Sequence, residues 1–237
     1  MKIKASELFS AEDKKCIADS IKKAEANTSG EVAIMVVDSS DSYREAETLG
    51  AFILSGLFSL VLEMVRSYLV VLKTAGWGYS LSGFSAHTLA EAAAHAAVWT
   101  YIPMVFVLYF PFRLLISKIP EMKIPFLSGN RIEETVRERA VTAFYEKQLY
   151  KTRDETGILI FISLLEHRVW ILGDRGINAK IAPDFWGIMA SELSSGIKKK
   201  QYGKSVCLAI SKCGEELSRH FPKKSDDTNE LADEVIL

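Results

Sequence analysis

The strongest constraint on this chain is a stretch without formal charge, "AAAHAAVWTYIPMVFVLYFPF", 21 residues from Ala92 to Phe112 with His95 neutral. A helix of that length, rising ~1.5 Å per residue, spans roughly 30 Å, the thickness of a bilayer's hydrocarbon core. Trp99, Tyr101 and Tyr109 supply amphipathic rings of the kind that settle near lipid headgroups. Pro103 and Pro111 are better tolerated in a membrane helix than in a soluble one.

A second apolar stretch lies upstream, "TLGAFILSGLFSLVLEMVRSYLVVL", Thr48 to Leu72, whose first 15 residues are uncharged. Glu63 and Arg66 then interrupt it as neighbours on one helical face. Such a pair is costly inside a membrane and faces protein or water rather than lipid. The two stretches predict a transmembrane hairpin over residues 49–117. The alternative is a pair of buried helices in a soluble α/β protein, for which a 21-residue uncharged run is long.

Two spans return the chain to its starting side. Arg113, Lys118, Lys123 and Arg131 follow the second span, only Arg44 closely precedes the first, and the connector 73–91 carries one basic residue. That bias places both chain ends in the cytoplasm. The opening "MKIKASELFSAEDKK" lacks the apolar core of a secretory signal. Cys16, Cys207 and Cys213 have no metal-type spacing and read as reduced thiols, which suits a reducing compartment. A net charge of −1 with 25% charged residues implies no general attraction to nucleic acid.

The flanking segments read as one discontinuous domain, 1–48 and 131–222, with a proline-broken linker at 118–130 and a polar tail at 223–237. Residues 10–27 are an amphipathic helix opened by Ser10 and Asp13 at capping-box spacing. "EVAIMVV", Glu31–Val37, is an almost wholly apolar strand and so a central one. After the insertion come a helix over 131–150, strands at 156–163 and 167–172 paired as a hairpin, and helices at 183–200 and 203–220. That order predicts an α/β fold, a small mixed sheet sandwiched by helices and interrupted by the two-helix hairpin.

"TGILIFISLLEHRVWILGDRGI", preceded by "FYEKQLYKTRDE", resembles the TPM domain family, and "LFSAEDKKCIADSIKKAEANTSGEVAIMVV" and "YGKSVCLAISKCGEELSRHFP" resemble that family's opening and closing segments. The resemblance covers residues 8–48 and 131–222 and is greatest to a membrane-anchored bacterial branch with a hydrophobic hairpin inserted in the domain. The resemblance implies an α/β sandwich with an acidic, metal-binding surface cleft, and the hairpin makes the chain read as a bacterial inner-membrane protein. Some members of the family are acid phosphatases, and others are accessory factors in maintaining membrane complexes. Many relatives place the domain outside the cytoplasm, and the charge bias here departs from that.

The candidate site starts from "HRVWILGDRGINAKI", where a buried strand runs into a carboxylate between two glycines. With strands one and three parallel and strand two antiparallel between them, Asp38, Asp154, Glu155 and Asp174 would share one sheet edge. Carboxylates gathered there would suit a hard cation, Ca²⁺ or Mg²⁺, able to neutralise phosphate oxygens and activate water. Gly173 and Gly176 would let backbone N–H groups approach an anion. The plainer reading is that Asp174 accepts turn hydrogen bonds and that Asp154 and Glu155 are a solvated helix end. His167 reads as strand-end structure, and His87 and His95 lack partners at ligand spacing. No Gly-rich nucleotide loop is present. "GIKKKQYGK" is a solvated helix end that could also touch anionic lipid.

The leading expectation is a membrane-anchored, cation-responsive binding or maintenance module, with the bilayer and other membrane proteins as partners. The rival is a metal-dependent phosphatase using Asp174, Asp154 and Asp38.

Overall fold

The computed structural model describes residues 4–74, 97–223 and 235–236. The connector from residue 75 onward and the first residues of the second apolar stretch, with His87 and His95, lie outside the described residues. The chain forms two compact units, Met1–Ser42 with Gly129–Leu237, and Tyr43–Ser128. The insertion therefore takes in the proline-broken segment assigned above to a linker.

In chain order the first unit begins with α1 (Ala5–Leu8), α2 (Ala11–Glu25) and β1 (Glu31–Val37). The second unit holds α3 (Arg44–Thr74), a π-helical turn at Ala97–Tyr101, α4 (Ile102–Lys118) and a 3-10 segment at Pro120–Phe126. The chain then returns through α5 (Gly129–Glu146), β2 (Gly157–Ser163), β3 (Arg168–Gly173), α6 (Arg175–Asn178), α7 (Pro183–Lys198), α8 (Tyr202–His220) and β4 (Val235–Ile236).

The first unit is built on a four-stranded mixed sheet in the order β3-β2-β1-β4. β1 and β2 are parallel, with Glu31 opposite Gly157 and Val37 opposite Ser163. β3 returns antiparallel to β2, pairing Gly173 with Ile158. The hairpin of β2 and β3 is as expected, but the assumed antiparallel sense of β2 to β1 is corrected. Two parallel neighbours need a crossover, and the connection between β1 and β2 supplies one in α5, which packs on β2 and β3. The end of the polar tail is ordered as an edge strand, Val235 and Ile236 lying parallel to Ile34 and Met35.

Alternation along the strands divides the core. Val32, Ile34, Val36, Ile158, Ile160 and Ile162 join one cluster with Ile17 and Ile21 of α2, Met189 of α7 and Leu217 of α8. Leu159 and Phe161 face the other way and are fully buried, and α5 turns Ile132, Val136, Ala140 and Phe144 inward. Each large apolar side chain so buried contributes about 1.5–3 kcal/mol. The capping box at α2 forms with Asp in the third helical position: Asp13 N–H donates to Ser10 Oγ (3.0 Å) and Ser10 N–H to Asp13 Oδ2 (3.1 Å).

In the second unit, Arg44–Leu69 and Trp99–Lys118 are helical stretches long and apolar enough to cross a membrane. Their packing inverts the pattern of a soluble core. Ala51, Ser55 and Ser59, spaced four apart on α3, are buried, whereas Leu49, Phe52, Leu57 and Phe58 are exposed. α4 packs on α3, bringing the Phe52 and Tyr109 rings to 4.7 Å between centroids. Tyr101 O–H donates to the Gly56 carbonyl at 3.4 Å. The expected neighbours Glu63 and Arg66 pair through Arg66 Nε and Glu63 Oε2 at 2.9 Å, and Thr100 Oγ1 also donates to Glu63 Oε2 at 3.0 Å.

Candidate functional site

The register decides which predicted site residues can meet. Asp38 follows the last residue of β1, whereas Asp154 and Glu155 precede the first residue of β2. Because those strands are parallel and in register from end to end, the two positions lie at opposite ends of the sheet. Six steps of ~3.3 Å put roughly 20 Å between them. β3 ends beside the start of β2, so Asp174 lies at the end of Asp154 and Glu155. A cation holds its oxygen ligands at about 2.3–2.6 Å, so Asp38 cannot share one with the other three. Among the described residues, no three His, Cys, Asp or Glu side chains gather as a metal-holding group. The proposed ligand set therefore does not fit Ca²⁺ or Mg²⁺ as a shared centre.

The local structure at each end shows what these residues do instead. Asp174 N–H donates to the Gly157 carbonyl at 2.8 Å, and Asp174 Oδ1 accepts from Arg175 N–H at 2.7 Å as the N-cap of α6. Asp174 Oδ2 is buried with no hydrogen-bond partner among the described residues. Asn178 Nδ2 donates to the Gly173 carbonyl at 2.6 Å. Gly176 N–H donates to the Glu155 carbonyl at 3.1 Å, so it is not aimed at an anion. A Cβ on Gly176 would come within 2.7 Å of Asp154 O and 2.6 Å of Glu155 O. Gly176 thus serves close backbone packing, and Gly173 makes room for the Ile177 side chain, whose Cγ2 would lie 2.7 Å from a Cβ there. Glu155 itself is exposed in a left-handed turn at φ 55°.

At the opposite end Asp38 is exposed and its Oδ1 accepts from Ala5 N–H at 2.6 Å, fastening the first turn of α1. The same end holds a hydrogen-bonded group that the sequence reading passed over. Glu166, in the turn between β2 and β3, is buried; its Oε1 accepts from Ser40 N–H at 2.8 Å, and Ser163 Oγ donates to Oε2. Ser40 Oγ donates to Ser163 Oγ at 2.9 Å, closing the loop. Beside it Arg131 Nη2 meets Asp41 Oδ2 at 3.3 Å, and Arg131 Nη1 donates to Thr135 Oγ1 at 2.8 Å.

This end is the carboxyl edge of two adjacent parallel strands, where open α/β sheets place ligand crevices. Here Ser40, Ser163 and Glu166 bond one another, tying the segment after β1 to the turn after β2. One sequence signal was available: Glu166 stands three residues after Ser163, at the range of a side chain reaching back across a tight turn.

The sequence matches no protein-family model and no curated protein. The fold is similar to the NMR structure of BA42 protein from the psychrophilic bacterium Bizionia argentinensis, with a TM-score of 0.54 and 19% identity over 98% of this chain and 97% of that one. At that identity the likeness speaks to the fold alone: a mixed α/β sheet flanked by helices.

Proposed function

We propose that this chain is a membrane-anchored binding module, a TPM-like α/β unit held at the bacterial inner membrane by a two-span hairpin. The observation that carries the reading is the inverted packing of α3 against α4. Ala51, Ser55 and Ser59 are the buried residues of α3, the aromatic pairs Phe52–Tyr109 and Phe58–Phe112 join the two helices, and Leu57, Phe106 and Phe110 are exposed. Lipid exerts no hydrophobic force between spanning helices, so their interfaces favour small residues and weak polar bonds. Large exposed apolar patches mark surfaces that meet a membrane or another protein. The excess of Lys and Arg after the second span supports a cytoplasmic position for the α/β unit.

The work of the module is binding rather than hydrolysis. A phosphatase centre on Asp38, Asp154 and Asp174, or a cation response through the same ligands, would need carboxylates that the sheet register keeps apart. Other membrane proteins are the partners this reading favours.

Alkaline carbonate extraction of membranes from cells expressing the full chain tests the anchor: the protein is expected in the pellet, and release to the supernatant overturns the reading. Assay of the detergent-solubilised chain on a phosphate ester with Ca²⁺, Mg²⁺ or Mn²⁺ tests the rest. Metal-dependent turnover abolished by Asp174→Ala would restore the phosphatase.

A further inference from the structure

Two cysteines 191 residues apart in the chain meet in the α/β unit: Cys16 Sγ of α2 and Cys207 Sγ of α8 are 2.7 Å apart. Neither sulfur is bonded to another; both residues are free thiols, as is Cys213. A disulfide bond is about 2.05 Å long, so small side-chain rotations would bring the pair to bonding distance.

The helices carrying them are held in fixed register on both sides of the meeting point. A Cβ on Gly203 would overlap the Asp13 carboxylate, and one on Gly214 would come 2.6 Å from Ala24 Cβ. The contacts advance together along both helices, Asp13 with Gly203, Cys16 with Cys207, and Ala24 with Gly214, so α2 and α8 run parallel at close approach. Packed interiors do not slide continuously, and the sulfurs are presented to each other by that packing.

Exposure differs in a useful way. Cys16 is exposed and open to a small oxidant, Cys207 is half-buried beside it, and Cys213 is fully buried.

We propose that Cys16 and Cys207 form a reversible dithiol–disulfide site, oxidised by small-molecule disulfides of the glutathione class, that cross-links α2 to α8. The Cys16 thiolate attacks one sulfur of the small disulfide, forming a mixed disulfide and expelling one thiolate. The Cys207 thiol loses its proton to solvent, and its sulfur attacks Cys16 Sγ and expels the second thiolate. Both expelled thiolates are protonated, so the protein loses two electrons and two protons and the small disulfide becomes two thiols. Burial, reinforced by the neighbouring Cys16 sulfur, pushes the Cys207 thiol up to about 11. Because Cys16 is the exposed thiol and Cys207 the half-buried one, Cys16 is the entry point and Cys207 the resolving partner.

The closed ring would take in most of the chain, including α3 and α4. Cross-linking would thus fasten the two ends of the α/β unit irrespective of the insertion between them. The cysteines sit outside the sheet-end residues described above, so the proposal stands apart from the binding reading.

The test uses the full chain in detergent, reduced and then exposed to oxidised glutathione, followed by non-reducing electrophoresis and peptide mapping. The expected product is a faster-migrating monomer containing a Cys16–Cys207 cystine peptide, reversed by dithiothreitol, with Cys213 still a free thiol. Cys16→Ser, at an exposed position, should abolish the shift, and Cys207→Ser should trap glutathione on Cys16. A stable glutathione adduct at Cys16 of the wild type without ring closure, a disulfide between two chains, a bond to Cys213 or the absence of any oxidation would each overturn it.

Discussion

Gly176 lies against the backbone of Glu155: its N–H donates to the Glu155 carbonyl at 3.1 Å, and a side-chain carbon would sit 2.6 Å from that oxygen. Neither backbone can yield cheaply, because Glu155 is the left-handed residue that turns the chain into β2. Gly176→Ala should therefore destabilise the protein by about 1–3 kcal/mol, the usual cost of overpacking. Gly187 of α7, with no heavy atom of the described residues within 4 Å of a Cβ there, is the control, since alanine at an exposed helical glycine stabilises by up to ~1 kcal/mol. Thermal melting of the two variants should move in opposite directions.

Removing Glu166 should reveal how much the far end of the sheet depends on it. Glu166→Ala strips the acceptor from Ser40 N–H and Ser163 O–H, and each buried donor left unsatisfied costs about 1–3 kcal/mol. Glu166→Gln keeps one carbonyl acceptor and should lose less. Denaturant midpoints read the difference, and equal losses for the two variants would mean that volume rather than hydrogen bonding matters there.

The inserted unit has a comparable test. Lys123 Nζ and Glu47 Oε1 form an ion pair at 2.6 Å with side chains only 9% and 14% exposed. Breaking a buried pair leaves its other charge uncompensated, at about 3–5 kcal/mol. Lys123→Ala should lower the melting temperature in detergent markedly, whereas Lys123→Ala combined with Glu47→Ala should recover part of the loss.

Cys213 gives the protein an alkaline weakness. Burial pushes its thiol from the ordinary 9.0 up to about 12, so the unfolded chain releases this proton while the folded one still holds it. The contribution is intact below pH 9 and is lost as pH rises from 9 toward 12, at about 1.4 kcal/mol per pH unit. Melting followed from pH 8 to pH 11 should fall more steeply for the wild type than for Cys213→Ala. Native alkylation should likewise modify Cys213 after Cys16 and Cys207.

Local periodicity carried most of the elements. The stripes Ile17–Ile21–Ala24 and Trp186–Met189–Leu193–Ile197 are buried as their spacing predicts, because helix faces and strand runs are written in neighbouring residues. The relative sense of β1 and β2 is not local: it is set by the long crossover containing a helix between them. Only an antiparallel pairing of those strands would gather Asp38 with Asp154, Glu155 and Asp174. The Ser163–Glu166 contact is local, but its closure by Ser40 and the Cys16–Cys207 meeting were illegible for the same reason, since each depends on which distant segments the fold sets side by side.

The central claim is that a lipid-facing hairpin divides one α/β unit whose two parts rejoin on the same side of the membrane. Protease treatment of sealed inner-membrane vesicles with the cytoplasmic face outward tests it most directly. The account predicts one protected fragment containing both Phe58 and Phe110, with the segments carrying β1 and β2 digested from the exposed face. Digestion of that fragment as well, cleavage between α3 and α4, or protection of β1 or β2 would contradict it.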